Sequence, residues 1–271
     1  MIAFAGNSVL CRLALVSTKI DAASFTSIRL LSGAVVLMLL VTLKSRVFRM
    51  GGSWWSAVAL FGYAAAFSFA YISLSAATGA LLLFGAVQAT MIGYGLVVGE
   101  RLNLKQVLGI IIAIIGLLVL LFPGFEAPPI VPAFLMLGAG IAWGVYSLRG
   151  RGLGDATEAT AGNFVRAAPL ALVVSLLMVQ QVNFDPTGVL YGVLSGALAS
   201  GVGYAIWYSV LPSLKATTAA TVQLSVPAIA SIGGVAFLAE PITIRLAVAS
   251  AAILGGVGVY ILSKRVEVAG S

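Results

Sequence analysis

Apolar runs of roughly membrane-spanning length recur along this chain, and the short stretches between them hold most of its charge. Dividing it at the charged and Pro/Gly-rich stretches leaves ten segments, at about 1–17, 23–43, 54–73, 77–98, 105–122, 132–148, 160–181, 187–211, 216–238 and 244–263. Most approach the ~20 residues that cross a ~30 Å hydrocarbon core at about 1.5 Å per residue. They are apolar on every side, whereas barrel strands alternate apolar and polar residues, so helices are expected. With 61% hydrophobic and 8% charged residues, the chain has too little polar surface to clothe a soluble globule, and lipid is the expected solvent. A net charge of +7 could point to nucleic acid. The basic residues stand singly or in small groups between apolar runs, however, so membrane topology accounts for them and no nucleic-acid partner is expected. Cys11 is the only cysteine and histidine is absent, which excludes an intramolecular disulfide and removes the usual zinc ligands and the commonest general base. No metal or cofactor is expected.

The chain also repeats itself. Residues 76–105 align without a gap on residues 216–245, so that Ala76, Thr78, Ala80, Ile92, Gly93 and Glu100 recur as Ala216, Thr218, Ala220, Ile232, Gly233 and Glu240. Lys105 and Arg245 stand five residues after each Glu, and earlier in each half Arg12, Asp21 and Arg29 correspond to Arg149, Glu158 and Arg166. Self-similarity of this kind implies duplication. The expected fold is an all-α polytopic membrane protein of ten transmembrane helices in two five-helix repeats. The first repeat covers 1–122, an external linker 123–131, the second repeat 132–263 and a cytoplasmic tail 264–271. An odd number of helices per repeat inserts the second copy upside down. In alternate loops, Lys44, Arg46, Arg49, Arg101, Lys105, Arg149, Arg151, Lys215, Lys264 and Arg265 fall on one side and Arg12, Lys19 and Arg245 on the other, which places both termini in the cytoplasm.

No catalytic constellation is legible. Asp21, Glu100, Glu126, Asp155, Glu158, Asp185, Glu240 and Glu267 all fall in loops or at segment ends, so a membrane-embedded enzyme is disfavoured and a mid-depth proton relay is not expected. Glu100 and Glu240 are expected to cap the starts of helices five and ten. The glycine-rich Arg149–Gly154 stretch lacks the strand-loop-helix context of a phosphate loop and reads as a connection. Deep polar residues are better candidates for a site: Asn7, Gln88, Gln223 and Ser225 must face protein or a cavity, since nothing in lipid satisfies them. Tyr63, Phe67 and Tyr71 share one helical face, as do Tyr204 and Tyr208; Trp207 adds a ring on the latter segment, and Trp143 and Tyr146 add rings on segment six. Such stripes are ordinarily core packing, but a cavity of rings and amides without formal charge also suits a solute with an apolar body and a polar head. Pro227 is expected to kink segment nine and act as a hinge. Arg29 and Arg166 are expected to play matched structural roles at opposite faces, with contact to a substrate carboxylate as the alternative. The ladder Ala247, Ala251, Gly255 suits either a homodimer or internal packing.

Two inverted five-helix repeats, Asn7 followed by Arg12, and the turns Gly99-Glu100-Arg101-Leu102 and Ala239-Glu240-Pro241-Ile242 resemble the drug/metabolite transporter superfamily, and within it the bacterial EamA-type exporters. The resemblance covers essentially the whole chain. The family's Trp-Gly in helix one is here Phe4-Ala5. The resemblance implies alternating access around a cavity between the halves, a small-molecule substrate and residence in the inner membrane. The aromatic lining looks most like the aromatic amino-acid exporter branch, which implies facilitative export of amino acids; a proton-coupled multidrug efflux pump of the same superfamily is the alternative. The residues singled out for substrate are Asn7, Tyr63, Phe67, Tyr71, Gln88, Trp143, Tyr146, Tyr204, Trp207, Tyr208, Gln223 and Ser225.

Overall fold

The computed structural model describes residues 1–45, 50–124, 126–150, 155–210 and 222–269. Every regular element among them is helical: α1 (Ile2–Ser17), α2 (Ala22–Ser45), α3 (Trp54–Tyr71), α4 (Ala76–Val97), α5 (Leu104–Leu121), α6 (Ile130–Arg149), α7 (Ala156–Leu177), α8 (Pro186–Val210), α9 (Ser225–Leu238) and α10 (Ile244–Ala269), with one 3₁₀ turn at Val179–Gln181. Helices α2, α4, α5, α6, α7, α8 and α10 are long and apolar enough to cross a membrane. Arg46, Arg49, Lys215, Ala216, Thr218 and Ala220, and the Arg151–Gly154 part of the glycine-rich stretch, lie outside the described residues.

The helix starts follow from local polar chemistry. Asp155 accepts hydrogen bonds from the Thr157 and Glu158 amides, and Asp185 accepts from Thr187 and Gly188 with Pro186 as the first helical residue. The Asp155 cap draws residues 156–159 into α7, which therefore begins four residues before the expected 160. Asn103 and Gln106 form a reciprocal capping box at α5, and Thr243 accepts from the Leu246 amide at α10. The expected caps, Glu100 and Glu240, are thus displaced by a better-placed Asn and Thr three residues on. Ile130 opens α6, which absorbs the end of the expected 123–131 linker, and α10 runs on to Ala269 through most of the expected tail.

Each Glu turn is closed by a left-handed residue. Gly99 has φ 94° and its counterpart Ala239 has φ 52°, and the Glu100 and Glu240 amides donate back to Gly95 and Gly234 carbonyls. This is a C-terminal cap that glycine adopts freely and alanine adopts under strain.

The packing is also regular. Helix α2 packs on α7, α4 on α9 and α5 on α10; α3 packs on α6 and α7, and α8 correspondingly on α1 and α2; α4 meets α6 as α9 meets α1. Small residues set these crossings. A Cβ on Gly109 would stand 2.5 Å from the Gly256 carbonyl across the α5–α10 contact, and one on Gly140 would stand 2.5 Å from the Leu83 carbonyl between α6 and α4. Ala247, Ala251 and Gly255 face outward on α10, so that ladder takes no part in internal packing. Leu108, Ile111, Ile112, Ile115 and Leu118 of α5 are exposed, whereas Asn7, Arg29, Ser68, Gln88, Ser195 and Ser200 are buried. Aliphatic side chains outside and polar ones inside are what a lipid solvent demands.

Candidate functional site

The helical periods bring the aromatic residues together at the centre of the bundle. Phe4 and Asn7 lie three residues apart on one face of α1, Tyr63 and Phe67 four apart on α3, and Phe84 and Gln88 four apart on α4. Phe4 makes edge contacts with Trp143, Tyr204 and Trp207 at ring separations of 6.2, 5.6 and 6.0 Å. Trp143 lies 4.9 Å from Tyr63, 5.0 Å from Tyr204 and 5.4 Å from Tyr146. Phe67 bridges Tyr63 and Tyr71. The space enclosed by Phe4, Asn7, Tyr63, Phe67, Trp143 and Tyr204 amounts to about 10 Å³, at most the room of a single water. The chamber is closed in this conformation.

Asn7 and the Tyr63 hydroxyl are the polar groups of its lining, with the Tyr204 hydroxyl, and further buried polar side chains stand outside it. The Asn7 amide donates to the Tyr63 hydroxyl at 3.2 Å and accepts from the Ser195 hydroxyl. Arg29, 1% exposed, donates from Nη2 to the same Tyr63 hydroxyl at 2.9 Å and from Nε to the Ser200 hydroxyl at 3.4 Å. Its guanidinium lies 5.0 Å from the Tyr63 ring centre and 4.8 Å from that of Phe67. Gln88 is buried with its Nε2 unpartnered. Ser195 and Ser200 belong to a π-helical stretch, Ser195–Val202, in the middle of α8. There Gly196 lets α8 approach the Arg29 carbonyl so closely that any Cβ would collide with it.

Not every residue expected at the site reaches the chamber. Tyr71 is buried beyond Phe67, with its hydroxyl on the Ala76 carbonyl. Tyr146 and Tyr208 line a second small space with Ser56, Thr160 and Asn163, at the Arg149 end of the bundle. Gln223 is buried just before α9, and Ser225, its first residue, bonds back to the Val222 carbonyl. Pro227 sits in the first turn of α9, where a missing N–H costs little, so the break in the chain falls before it at Leu224 and not at a kink in mid-helix. Arg29 and Arg166 do not share a role: Arg29 points into the centre, whereas Arg166 donates to the Gly51, Met50 and Gly162 carbonyls at one end. Sequence reasoning missed Phe4 as a chamber residue, and Arg29 stands behind the lining, against Tyr63 and Phe67. The signal for Phe4 was its i, i+3 relation to Asn7.

The two ends are tied differently. At one, Arg12 Nε donates to Glu240 at 2.9 Å, Arg12 Nη1 donates to the Tyr71 and Ile72 carbonyls, and the other Glu240 oxygen accepts from the Ala76 amide at 2.7 Å. Outside this tie lies a mouth of about 310 Å³ that also includes Glu126 and Pro129. At the other end, Lys44 pairs with Asp155 at 3.0 Å, and Arg149 donates to Ser53 and Ser56. The Glu158 amide at the start of α7 holds the Asp155 carboxyl below its ordinary range, with Lys44 adding to the effect. For Asp21, burial raises the carboxyl's pKa, but hydrogen bonds from Ser24 and the Asn183 amide outweigh it and the net direction is down. A hollow of about 590 Å³ between α4, α5, α6 and α10 is lined almost wholly by aliphatic residues and glycines. It lacks the convergent polar groups of a polar-solute site. No cluster of metal-ligating side chains occurs among the described residues.

A polytopic helical bundle with a polar and aromatic centre, tied at both ends, defines a membrane transporter of small molecules. A model of the EamA-like transporter family matches residues 131–262. The chain is 53% identical over 262 residues to the uncharacterized protein PA1977 of Pseudomonas aeruginosa, covering 96% of this chain and 91% of that one. It also superposes on a protein of known crystal structure with a TM-score of 0.68 over 97% of both chains, at 22% identity, a likeness of fold alone. This protein belongs to the EamA-like transporter family, within the drug/metabolite transporter superfamily.

Proposed function

We propose that this protein exports amino acids, aromatic and other apolar ones foremost, or similar small metabolites from the bacterial cytoplasm by alternating access. Two inverted five-helix repeats rock against each other in the inner membrane, with both termini cytoplasmic. Support for the duplication comes from the packing: adding five to each label converts α1–α8 into α6–α3, α1–α9 into α6–α4 and α2–α8 into α7–α3. The left-handed Gly99 and Ala239 before matched Glu residues support it further. The observation that carries the substrate reading is the chamber, where rings from α1, α3, α6 and α8 meet Asn7 and Tyr63 at the centre. Rings suit an apolar side chain and the hydrogen-bonding groups suit its polar head. Transport is facilitative in this reading, because Asp and Glu stand at helix ends and in turns, where protonation does not gate the centre.

Uptake of radiolabelled phenylalanine, methionine and threonine into proteoliposomes tests it, with and without a pH gradient. Saturable uptake without a gradient is expected. Transport of lipophilic drug cations alone, and only under a proton gradient, would replace this reading with that of an efflux pump.

A further inference from the structure

We infer that Arg29 is the substrate-recognising cation of the central chamber and selects solutes that bear a carboxylate. The inference deepens the transport reading and rests on it. Arg29 lies two helical turns inside α2, about 12 Å along the axis from Asp21, and is 1% exposed. Its charge has no protein counter-ion among the described residues: the two ion pairs found there are Arg12–Glu240 and Lys44–Asp155, both at the ends of the bundle. A guanidinium has five N–H donors. Nε and Nη2 reach the Ser200 and Tyr63 hydroxyls, and Nη1 is buried with no partner.

The neighbours are donors too. The Tyr63 hydroxyl already accepts from both Arg29 and Asn7 and has the Tyr204 hydroxyl as a further neighbour, so it has no lone pair left to offer the guanidinium's remaining donors. Asn7 has its carbonyl oxygen engaged by Ser195. The cluster therefore holds an excess of donors and a full positive charge beside a chamber of rings, and what it lacks is an anionic acceptor. A carboxylate supplies two such oxygens in the geometry of the guanidinium fork. A merely structural tie between α2, α3 and α8 would be made more cheaply by a neutral amide, since burying an uncompensated charge is costly. The rings of Tyr63 and Phe67 beside the guanidinium supply partial compensation when no solute is bound. The π-helical stretch of α8 contributes at the same place, setting Ser200 against Arg29 and giving up regular backbone geometry, as helices often do at functional sites.

The test is a tryptophan-fluorescence titration of the purified full chain, in which Trp143 and Trp207 respond and the exposed Trp54 and Trp55 give a constant background, with four probes of similar bulk: L-phenylalanine, 3-phenylpropionate, L-phenylalaninamide and phenethylamine. The two carboxylates are expected to saturate, and the two amines to bind at least ~10-fold more weakly. Arg29→Gln is expected to abolish the preference, and Arg29→Lys to keep part of it, because a point charge without the fork remains. Equal binding of phenylalanine and phenylalaninamide to the unaltered protein overturns the inference, as does an unchanged preference in Arg29→Gln or no saturable signal with either carboxylate. Should Arg29→Gln fail to fold, the probe series on the unaltered protein and on Arg29→Lys decides the matter. Carboxylate-selective binding without uptake into proteoliposomes would sink the transport reading and leave the Arg29 site standing. Uptake of phenylalanine and phenylalaninamide at equal rates would do the reverse.

Discussion

Arg12 and Glu240 lie 228 positions apart in sequence and are joined at 2.9 Å, with the Arg12 side chain also holding the Tyr71 and Ile72 carbonyls and Glu240 the Ala76 amide. One ion pair thereby gathers α1, the end of α3, the start of α4 and the turn between α9 and α10. Glu240 sits at the N-terminus of α4, where the unpaired amides and the helix dipole favour a negative charge. Both residues line the 310 Å³ mouth at that end of the bundle.

Removing either partner should therefore open that end. In a Cys11→Ala background, a cysteine placed at Leu74, buried in the wall of that mouth beside the tie, should react with a polar thiol reagent about 10-fold faster when Arg12→Ala or Glu240→Gln is added. Thermal unfolding should show a loss of roughly 2 kcal/mol from the missing charged hydrogen bonds. Unchanged labelling would mean that the pair does not hold the end shut.

Trp143 contacts Phe4, Tyr63, Tyr146 and Tyr204. Trp143→Ala should cost about 3 kcal/mol through the cavity it leaves and reduce uptake at least several-fold. Trp143→Phe should restore most of the stability, and uptake kinetics identical to the unaltered protein in both variants would remove Trp143 from the site.

Glycine substitutions should sort by what their Cβ would meet. Gly79 faces the Tyr71 ring and Gly256 the Gly109 carbonyl, whereas Gly93 and Gly258 face open space. Gly79→Ala and Gly256→Ala should lower the melting temperature in detergent, and Gly93→Ala and Gly258→Ala should not. Ala239→Gly should raise it, because glycine relieves up to about 1 kcal/mol of left-handed strain. A uniform effect across the series would contradict the close α5–α10 and α4 packing.

The pH response should be confined to acid. Asp21 and Asp155 have lowered carboxyl pKa values, so each contributes stability above its unfolded value, near 4, and loses it as pH falls through the lower folded value. The chain has no histidine to titrate near neutrality. The melting temperature should stay level between about pH 5 and 8 and fall below about pH 4. Asp155→Asn should flatten that fall in part; a transition near pH 6.5 would show that some other group governs stability.

Most of the helix map was legible because period and length suffice for it. Segments 23–43 and 105–122 match α2 and α5 within two residues at each end. Caps were harder: Asn103 and Thr243 displaced Glu100 and Glu240 because a short side chain three residues nearer the helix reaches its amides directly. The stripe Tyr63, Phe67 was readable from its spacing, but its meeting with Trp143 and Tyr204 was not, since contacts between distant helices leave no local pattern. The same holds for Arg29 and Arg166, which occupy matched positions in sequence and opposite environments in space.

The sequence by itself determined a lipid-solvated helical bundle, its internal repetition and the confinement of acidic residues to helix ends and turns, because these depend on composition and on spacings within one segment. Only the tertiary structure decided that Arg12 binds Glu240, that Phe4 enters the ring cluster and that Arg29 is buried without a counter-ion. Each is a relation among helices far apart in the chain, set by how small residues such as Gly196, Gly140 and Gly109 let their backbones approach.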